Sequence, residues 1–584
     1  LNIMNKFQKH TLLFIAISNV FATLIPSVVR ETLDTLLGNV DISTKWYYSY
    51  IIPGFDTPLE LALLGGLSIL FFAALKGISM YIYRMKIIVM SRYIEYDQKN
   101  DIFKHYQKMG QAFYTKNYTG DLMNRISDDV SKVRMFTGPA IMYSMNLSMM
   151  IIAVVSVMFY VNPRITFYVL MPLPVLAFTI YKVSDTMNKK SDLIQKKLSS
   201  LTSYVQETFA GVQVVKSYAA ERDFSRDFEQ MNHSYKDDNM ALVRVNGVFM
   251  PTVLGLIGLS ILITVYVGGN AVVNGEFSMG NIVEYIIYVN MLTWPVASLG
   301  YVTSLVQRGA ASQKRIDEFL NTQAEVREGK EPIKSIKESV EFKNVSFKYP
   351  NTDVWVLKNV SFTIDAKSKF GIIGTTGSGK STIAKLLMGV YRPTEGEILI
   401  DSKNLNDYDS GDLSDLSGYV SQDIFLFSET LKDNILFGCK NLADENNLKD
   451  AIDASALTDE VESLPNGLET MLGERGITLS GGQKQRTAIA RALIKKPNLL
   501  VIDDGLSAVD TKTEVDIKNS LAAWNEEQTF INISHRISSV QDCDGIIFLD
   551  KGEVEEYGTH AELLKQAGLY SDLYKKQMMQ TELA

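Results

Sequence analysis

Gly374, Thr375, Thr376, Gly377, Ser378, Gly379, Lys380, Ser381 and Thr382 follow the spacing G-x-x-x-x-G-K-S of a phosphate-binding loop. Glycines at these positions let backbone N–H groups converge on phosphate oxygens, and a helix opening at the loop's end adds a partial positive charge. Lys380 is placed to reach the β- and γ-phosphates of a nucleotide, and Ser381 to ligate Mg²⁺. Farther on, the apolar run Leu499-Leu500-Val501-Ile502 ends in Asp503 and Asp504. A buried strand ending in carboxylates beside a phosphate loop would hold Mg²⁺ through water with Asp503. Asp504 then falls where a general base or water-positioning group belongs. Between these motifs lies a second glycine-rich turn, Leu479-Ser480-Gly481-Gly482-Gln483, which opens a helical stretch and so offers a second phosphate site. A single nucleotide does not ordinarily need both turns; a dimer that sandwiches nucleotide between chains uses them. Tyr349, about 25 residues before the loop, is an aromatic in position to stack on adenine.

These groups need elements to hold them. Phe370-Gly371-Ile372-Ile373 reads as a buried strand feeding the loop, and the run from Thr382 to Leu387 as the helix leaving it. Residues 340–349 alternate as a strand, and 484–492 are strongly helical. The sequence thus predicts an α/β phosphate-loop ATPase domain over 339–584, preceded by a polar linker at 319–338.

Residues 1–318 are of another kind. Six apolar stretches, at about 11–32, 59–84, 137–160, 164–184, 247–273 and 280–307, each approach the roughly 20 residues that cross a bilayer. An all-α membrane domain is expected. Lys6, Lys9 and His10 before the first stretch favour a cytoplasmic N-terminus, and an even number of spans returns the second half to the cytoplasm. No small-residue cleavage site follows the first stretch, so no cleavable signal peptide is expected.

The connections at 161–164 and 274–278 read as tight outer turns, while Trp46, Tyr47, Tyr48 and Tyr50 suit an interfacial aromatic belt. The other two connections are long, charged and helical, so the spans should continue well into the cytoplasm. Within them, the stretches around Gly120 and Gly211 read either as turns that dock on another surface or as solvated helical hairpins. Few ionisable groups lie in the spans: Arg30, Glu31, Lys76 and Glu284. An intramembrane charge is costly and usually faces a cavity or a partner. Glu284, a turn from an outer loop, is expected at the interface, with contact to a cationic substrate as the other reading. Met142, Tyr143, Met145, Met149, Met150, Tyr285, Tyr288 and Met291 suit an adaptable apolar cavity or a lipid-facing surface.

The chain has 584 residues, 46% of them hydrophobic, and a formal net charge of -8. That acidity argues against nucleic acid as a partner. Cys439 and Cys543 are its two cysteines, which leaves no disulfide framework or Cys-rich metal site and fits a reducing cytosol.

Phosphate loop, second turn and carboxylate strand together resemble the ATP-binding cassette (ABC) family. The six preceding spans resemble an ABC exporter half-transporter, so the resemblance covers nearly the whole chain. It implies ATP and Mg²⁺ as ligands, an exported hydrophobic or amphipathic compound, and a bacterial cell membrane as the site of action. Further roles are implied residue by residue. Gln422 looks like the glutamine joining Mg²⁺ to the membrane-domain contact. Ser480, Gly481, Gly482 and Gln483 would meet nucleotide held by a second half-transporter chain. Asp510, in Ser507-Ala508-Val509-Asp510, resembles the loop at the dimer seam, and His535 the switch histidine at the γ-phosphate. The stretches around Gly120 and Gly211 resemble the coupling helices, and Gly473-Glu474-Arg475-Gly476 the loop facing them.

One departure from the family pattern is informative. A competent site ends its carboxylate strand in Asp-Glu, whereas this chain has Asp503-Asp504-Gly505. Aspartate sets its carboxylate back by about 1.3–1.5 Å, and a misplacement of that order can cost roughly a hundredfold in rate. The same substitution is similar to one chain of heterodimeric bacterial multidrug exporters, in which one nucleotide site is degenerate. A lipid or peptide exporter and a slow homodimer are the alternatives. A soluble ATPase acting on DNA or ribosomes is opposed by the six spans; an ATP-gated channel on the same scaffold is a third class.

Overall fold

The computed structural model describes residues 2–38, 57–323, 329–350, 352–439, 445–473, 476–505, 513–514, 516–517, 520–521 and 528–582. The chain divides into two compact units, one of residues 1–104 and 123–322, the other of residues 105–122 and 323–584.

Among its described residues the first unit is helical apart from short turns. Six helices are long and apolar enough to cross a membrane: α1 (Thr11–Leu36), α2 (Ala62–Lys108), α3 (Thr119–Val161), α4 (Pro163–Ala210), α5 (Glu221–Val273) and α6 (Met279–Leu320). Most run far beyond the roughly 20–25 residues a span needs, as the helical periodicity of the long connections predicts. At the first tight turn, Asn162 caps α4 by accepting the Ile165 N–H at 3.1 Å. At the second, Ser278 and Asn281 form a reciprocal capping box that opens α6. Two one-residue-wider turns, at Arg125–Asp129 and Phe136–Ala140, interrupt α3, the second at Pro139. Pro26, Pro251 and Pro295 sit inside α1, α5 and α6.

Two observations here revise the sequence reading. Gly120 does not make the turn between long helices: it lies inside the helix Thr119–Asn124. The chain bends instead at Gly110 and Asn117, which are extended at the two ends of a short helix, Gln111–Lys116. Glu284 faces neither lipid nor solvent. It is fully buried, ion-paired with Arg30 at 3.1 Å and bonded by Ser27 Oγ at 2.8 Å and Tyr288 Oη at 3.1 Å. Close by, Asp34 accepts from Ser278 Oγ at 2.7 Å and from the Gly280 N–H at 2.9 Å. Carboxylates and an arginine thus tie the outer end of α1 to the start of α6. A buried charge is tolerable because each is paired and hydrogen-bonded.

The second unit contains two sheets. A four-stranded antiparallel one has the order β2 (Leu357–Asp365), β1 (Ser339–Phe347), β4 (Glu395–Ile400), β5 (Lys403–Asn404). The six-stranded one has the order β10 (Glu553–Gly558), β9 (Gly545–Asp550), β3 (Lys369–Gly374), β8 (Thr529–Ile533), β7 (Leu499–Asp503), β6 (Ser417–Val420). From β9 to β6 every neighbouring pair is parallel. Parallel strands are covered on both faces and so read as continuous apolar runs, which β7 does, all five of its residues being buried. Helix α7 (Lys380–Leu387) follows β3, and α8 (Gly481–Leu493) packs beside β6. Cys439 and Cys543 are not joined in a disulfide.

Candidate functional site

In an open parallel sheet, ligands bind beyond the carboxyl ends of the strands. Four adjacent strands here deliver the chemistry to that edge. β3 ends at Gly374 and feeds the phosphate loop; β8 ends at Ile533, two residues before His535. β7 ends at Asp503, and β6 ends at Val420, two residues before Gln422. Around them lies a cavity of about 350 Å³ lined by Thr376, Gly377, Ser378, Gly379, Lys380, Ser381, Thr382, Gln422, Asp503, Asp504 and His535. Residues scattered over some 160 positions of sequence therefore share one wall because the sheet interleaves their strands.

The loop is shaped by its glycines. At Gly374 a Cβ would fall 1.9 Å from the Leu549 carbonyl oxygen, so a side chain cannot fit against β9. Gly377 and Gly379 adopt φ of +81° and +103°, the region glycine occupies without strain. Lys380 Nζ folds back to donate to the carbonyls of Gly374 at 2.9 Å and Thr375 at 2.8 Å. Ser378 is buried, and its hydroxyl has no protein partner. A buried hydroxyl with no partner inside a nest of N–H groups fits an incoming phosphate oxygen.

Ser381 Oγ donates to Asp503 Oδ1 at 3.0 Å, so a hydroxyl and a carboxylate stand together beside the loop. No cluster of three or more His, Cys, Asp or Glu occurs among the described residues. A hydroxyl and a carboxylate are hard oxygen donors, and the pair suits a hard cation that takes its other ligands from phosphates and water. Burial pushes the Asp503 carboxyl above the usual carboxylate range, against the pull of the Ser381 hydrogen bond. Burial also pulls the Lys380 ammonium down, with Asp504 and Asp503 opposing. Both shifts mark charges held out of water, where an added phosphate or cation would relieve the cost.

Asp504 has a left-handed backbone, φ +52°, which aspartate tolerates better than most residues. Its N–H donates to the Ile533 carbonyl at 2.8 Å, locking it to the end of β8. Its carboxylate oxygen lies 2.8 Å from His535 Nδ1, a geometry that makes Nδ1–H the donor.

The second glycine-rich turn stands apart from the cavity. Ser480 caps α8, accepting the Gln483 N–H at 3.3 Å, while the Ser480 N–H donates to Gln483 Oε1 at 2.9 Å. Ser480 and Gly481 are exposed, and none of Ser480, Gly481, Gly482 and Gln483 lines the cavity. Tyr349 donates to or accepts from Thr382 Oγ1 at 3.0 Å, and its ring packs edge-on against Tyr391 at 5.3 Å. Its ring does not line the cavity, whereas Val356, Ile533 and Ser534 do. No motif marks Val356; Ser534 was findable as the neighbour of His535. Asp510 lies outside the described residues, as do Glu474 and Arg475. In the same unit, Thr115 Oγ1 of the short helix Gln111–Lys116 lies 3.2 Å from Tyr391 Oη.

Comparison with known proteins gives the family and the fold. Residues 11–296 match the family described as the ABC transporter transmembrane region, and residues 357–507 the family described as ABC transporter. A probable multidrug resistance ABC transporter ATP-binding/permease protein, YheI of Bacillus subtilis, is 36% identical over 83% of each chain. An ATP-dependent lipid A-core flippase of Photobacterium profundum is 31% identical over 95% of this chain and 92% of its own. The structure of a bacterial Atm1-family ABC exporter with ATP bound superposes with a TM-score of 0.76 at 25% identity, covering 98% of this chain and 99% of that one.

Proposed function

The chain belongs to the ABC transporter family, as an ATP-hydrolysing multi-pass protein of the bacterial membrane with its nucleotide-binding domain in the cytoplasm, and we propose that it is one subunit of a heterodimeric exporter whose own nucleotide site hydrolyses weakly. The partner is a second half-transporter carrying glutamate at the position of Asp504. The cargo is hydrophobic or amphipathic. Support for that cargo comes from relatives named for multidrug resistance and for lipid A-core flipping.

In this reading the loop N–H groups and Lys380 bind the phosphates of ATP, and His535 meets the γ-phosphate. Ser381, Asp503 and Gln422 hold Mg²⁺, which neutralises phosphate charge. Ser480 and Gly482, at the start of α8, complete the site formed on the partner's loop. ATP binding closes two nucleotide domains on each other, and the membrane helices open outward; hydrolysis and phosphate release reset the pair. The hydrolytic step is in-line attack of water on the γ-phosphate, breaking its bond to the β-phosphate oxygen and releasing ADP and phosphate.

The observation that carries the asymmetry is Asp504. Its side chain is one methylene short of glutamate and is drawn onto His535 Nδ1 at 2.8 Å. A carboxylate both shorter and engaged with the switch histidine is poorly set to orient attacking water. The test is steady-state ATPase of the chain purified with its partner. Asp504→Asn should lower turnover about twofold. Ser480→Arg, which forces a bulky side chain into the partner's site, should lower it more than tenfold, and the chain alone should be nearly inactive. Robust ATPase from the isolated chain, lost on Asp504→Asn, would restore the homodimer.

A further inference from the structure

The last described helix, α9 (Leu569–Glu582), is fastened to the strands that build the nucleotide site. Glu556 of β10 accepts the N–H groups of Leu569 and Tyr570 at its first turn. Tyr570 is fully buried, packs with Ile373 of β3 and Ile537 of the switch turn, and meets His560 Nδ1 through its hydroxyl at 2.7 Å. Two turns on, Gln577 faces the turn that carries His535. Its Nε2 donates to the His535 carbonyl at 2.8 Å, and its Oε1 accepts the Ile537 N–H at 2.9 Å.

We infer that Gln577 is a positioning residue: it pins both ends of the 535–537 turn to α9 and so sets His535 at the place where this chain's own site distinguishes ATP from ADP. The inference rests on His535 meeting the γ-phosphate. The chemistry of the side chain argues for it. Only a carboxamide presents one donor and one acceptor side by side, the pattern needed to pair with a carbonyl and an N–H two residues apart. Glutamate would keep the acceptor and lose the donor, leucine would lose both, and asparagine is one methylene short. The anchor is also stiff, because a buried tyrosine and a carboxylate cap fix the helix upstream of Gln577. Side chains that hold a reacting group through its backbone act by geometry, and errors of about 1 Å are enough to be felt.

The test uses the full chain in membrane vesicles, photolabelled with 8-azido-ATP and competed with ATP or with ADP. In the native protein, ATP should compete better than ADP. His535→Ala should erase that preference. Gln577→Leu and Gln577→Asn should each cut it at least fivefold while leaving ADP competition within twofold, and the melting temperature should hold. The double variant His535→Ala, Gln577→Leu should lose no more than His535→Ala alone, because both changes remove one interaction. A preference kept within twofold in Gln577→Leu but lost in His535→Ala overturns the inference and leaves the site reading intact. Equal loss of ATP and ADP competition in Gln577→Leu also overturns it, since that is general destabilisation. A preference that survives His535→Ala overturns the γ-phosphate reading, and the inference falls with it.

Discussion

Lys380 shows how far a single side chain can be read before its surroundings are known. The loop spacing places it at the phosphates. The structure adds that its ammonium rests on the carbonyls of Gly374 and Thr375, in contact with the loop it serves. Charge-assisted hydrogen bonds are worth about 1.5–3 kcal/mol each. Lys380→Ala should therefore weaken ATP binding to this chain by about 10–100-fold, measured by nucleotide competition. Tyr349→Ala should cost less, since the Tyr349 ring does not line the cavity and its hydroxyl is engaged with Thr382. Equal affinity in wild type and both variants would remove the basis of the site. The loop was legible because phosphate geometry dictates its spacing, and Asp503 because it ends the apolar run Leu499-Leu500-Val501-Ile502. Val356 and Gln577 were not, because each reaches the site through a tertiary contact that no local pattern encodes.

At the scale of elements, the six long helices were legible because a bilayer leaves backbone polar groups no other partner than their own helix. What hydropathy could not give is the direction a side chain faces. Glu284 lies early in α6, and depth along the axis suggested the interface; its rotation about the axis instead turns it onto Arg30 of α1. Likewise Gly120 suggested a turn by its residue type, yet the bend fell at Asn117 and Gly110. Removing one partner of a buried ion pair typically costs about 3–5 kcal/mol. Glu284→Ala should lower the melting temperature of the extracted protein by several degrees, and the double change Arg30→Met, Glu284→Leu should recover much of that loss. A melting curve indifferent to Glu284→Ala would mean that α1 and α6 do not depend on this tie.

For the whole molecule, the family assignment and the six spans fix which ends of the helices face which compartment. The turn at Asn274 should lie outside, and Ser200, within the extended part of α4, should lie in the cytoplasm. A cysteine replacing Asn274 should react with an impermeant maleimide on intact cells, in a background where Cys439 and Cys543 are serine. A cysteine replacing Ser200 should react only after the cells are opened. Labelling in the reverse order would invert the topology. Fold class was legible at this scale because two unlike compositions adjoin in one chain, an apolar half and a half with strand and loop motifs. The second half-transporter proposed above was not legible, because a chain's sequence encodes only its own surfaces.

The Arg30–Glu284 pair has a consequence for how the protein is made. Its two members lie 254 residues apart, and α1 enters the membrane first. At roughly 5–20 residues per second, a ribosome needs about 13–50 s to reach Glu284 after Arg30 has been synthesised. Through that interval the guanidinium has no Glu284 to meet, and the carboxylate of the neighbouring Glu31, 3.6 Å from it in the folded chain, is the counter-ion its own helix supplies. Arrival of α6 then completes the set of groups around Arg30, so the tie between the outer end of α1 and the start of α6 closes late in synthesis.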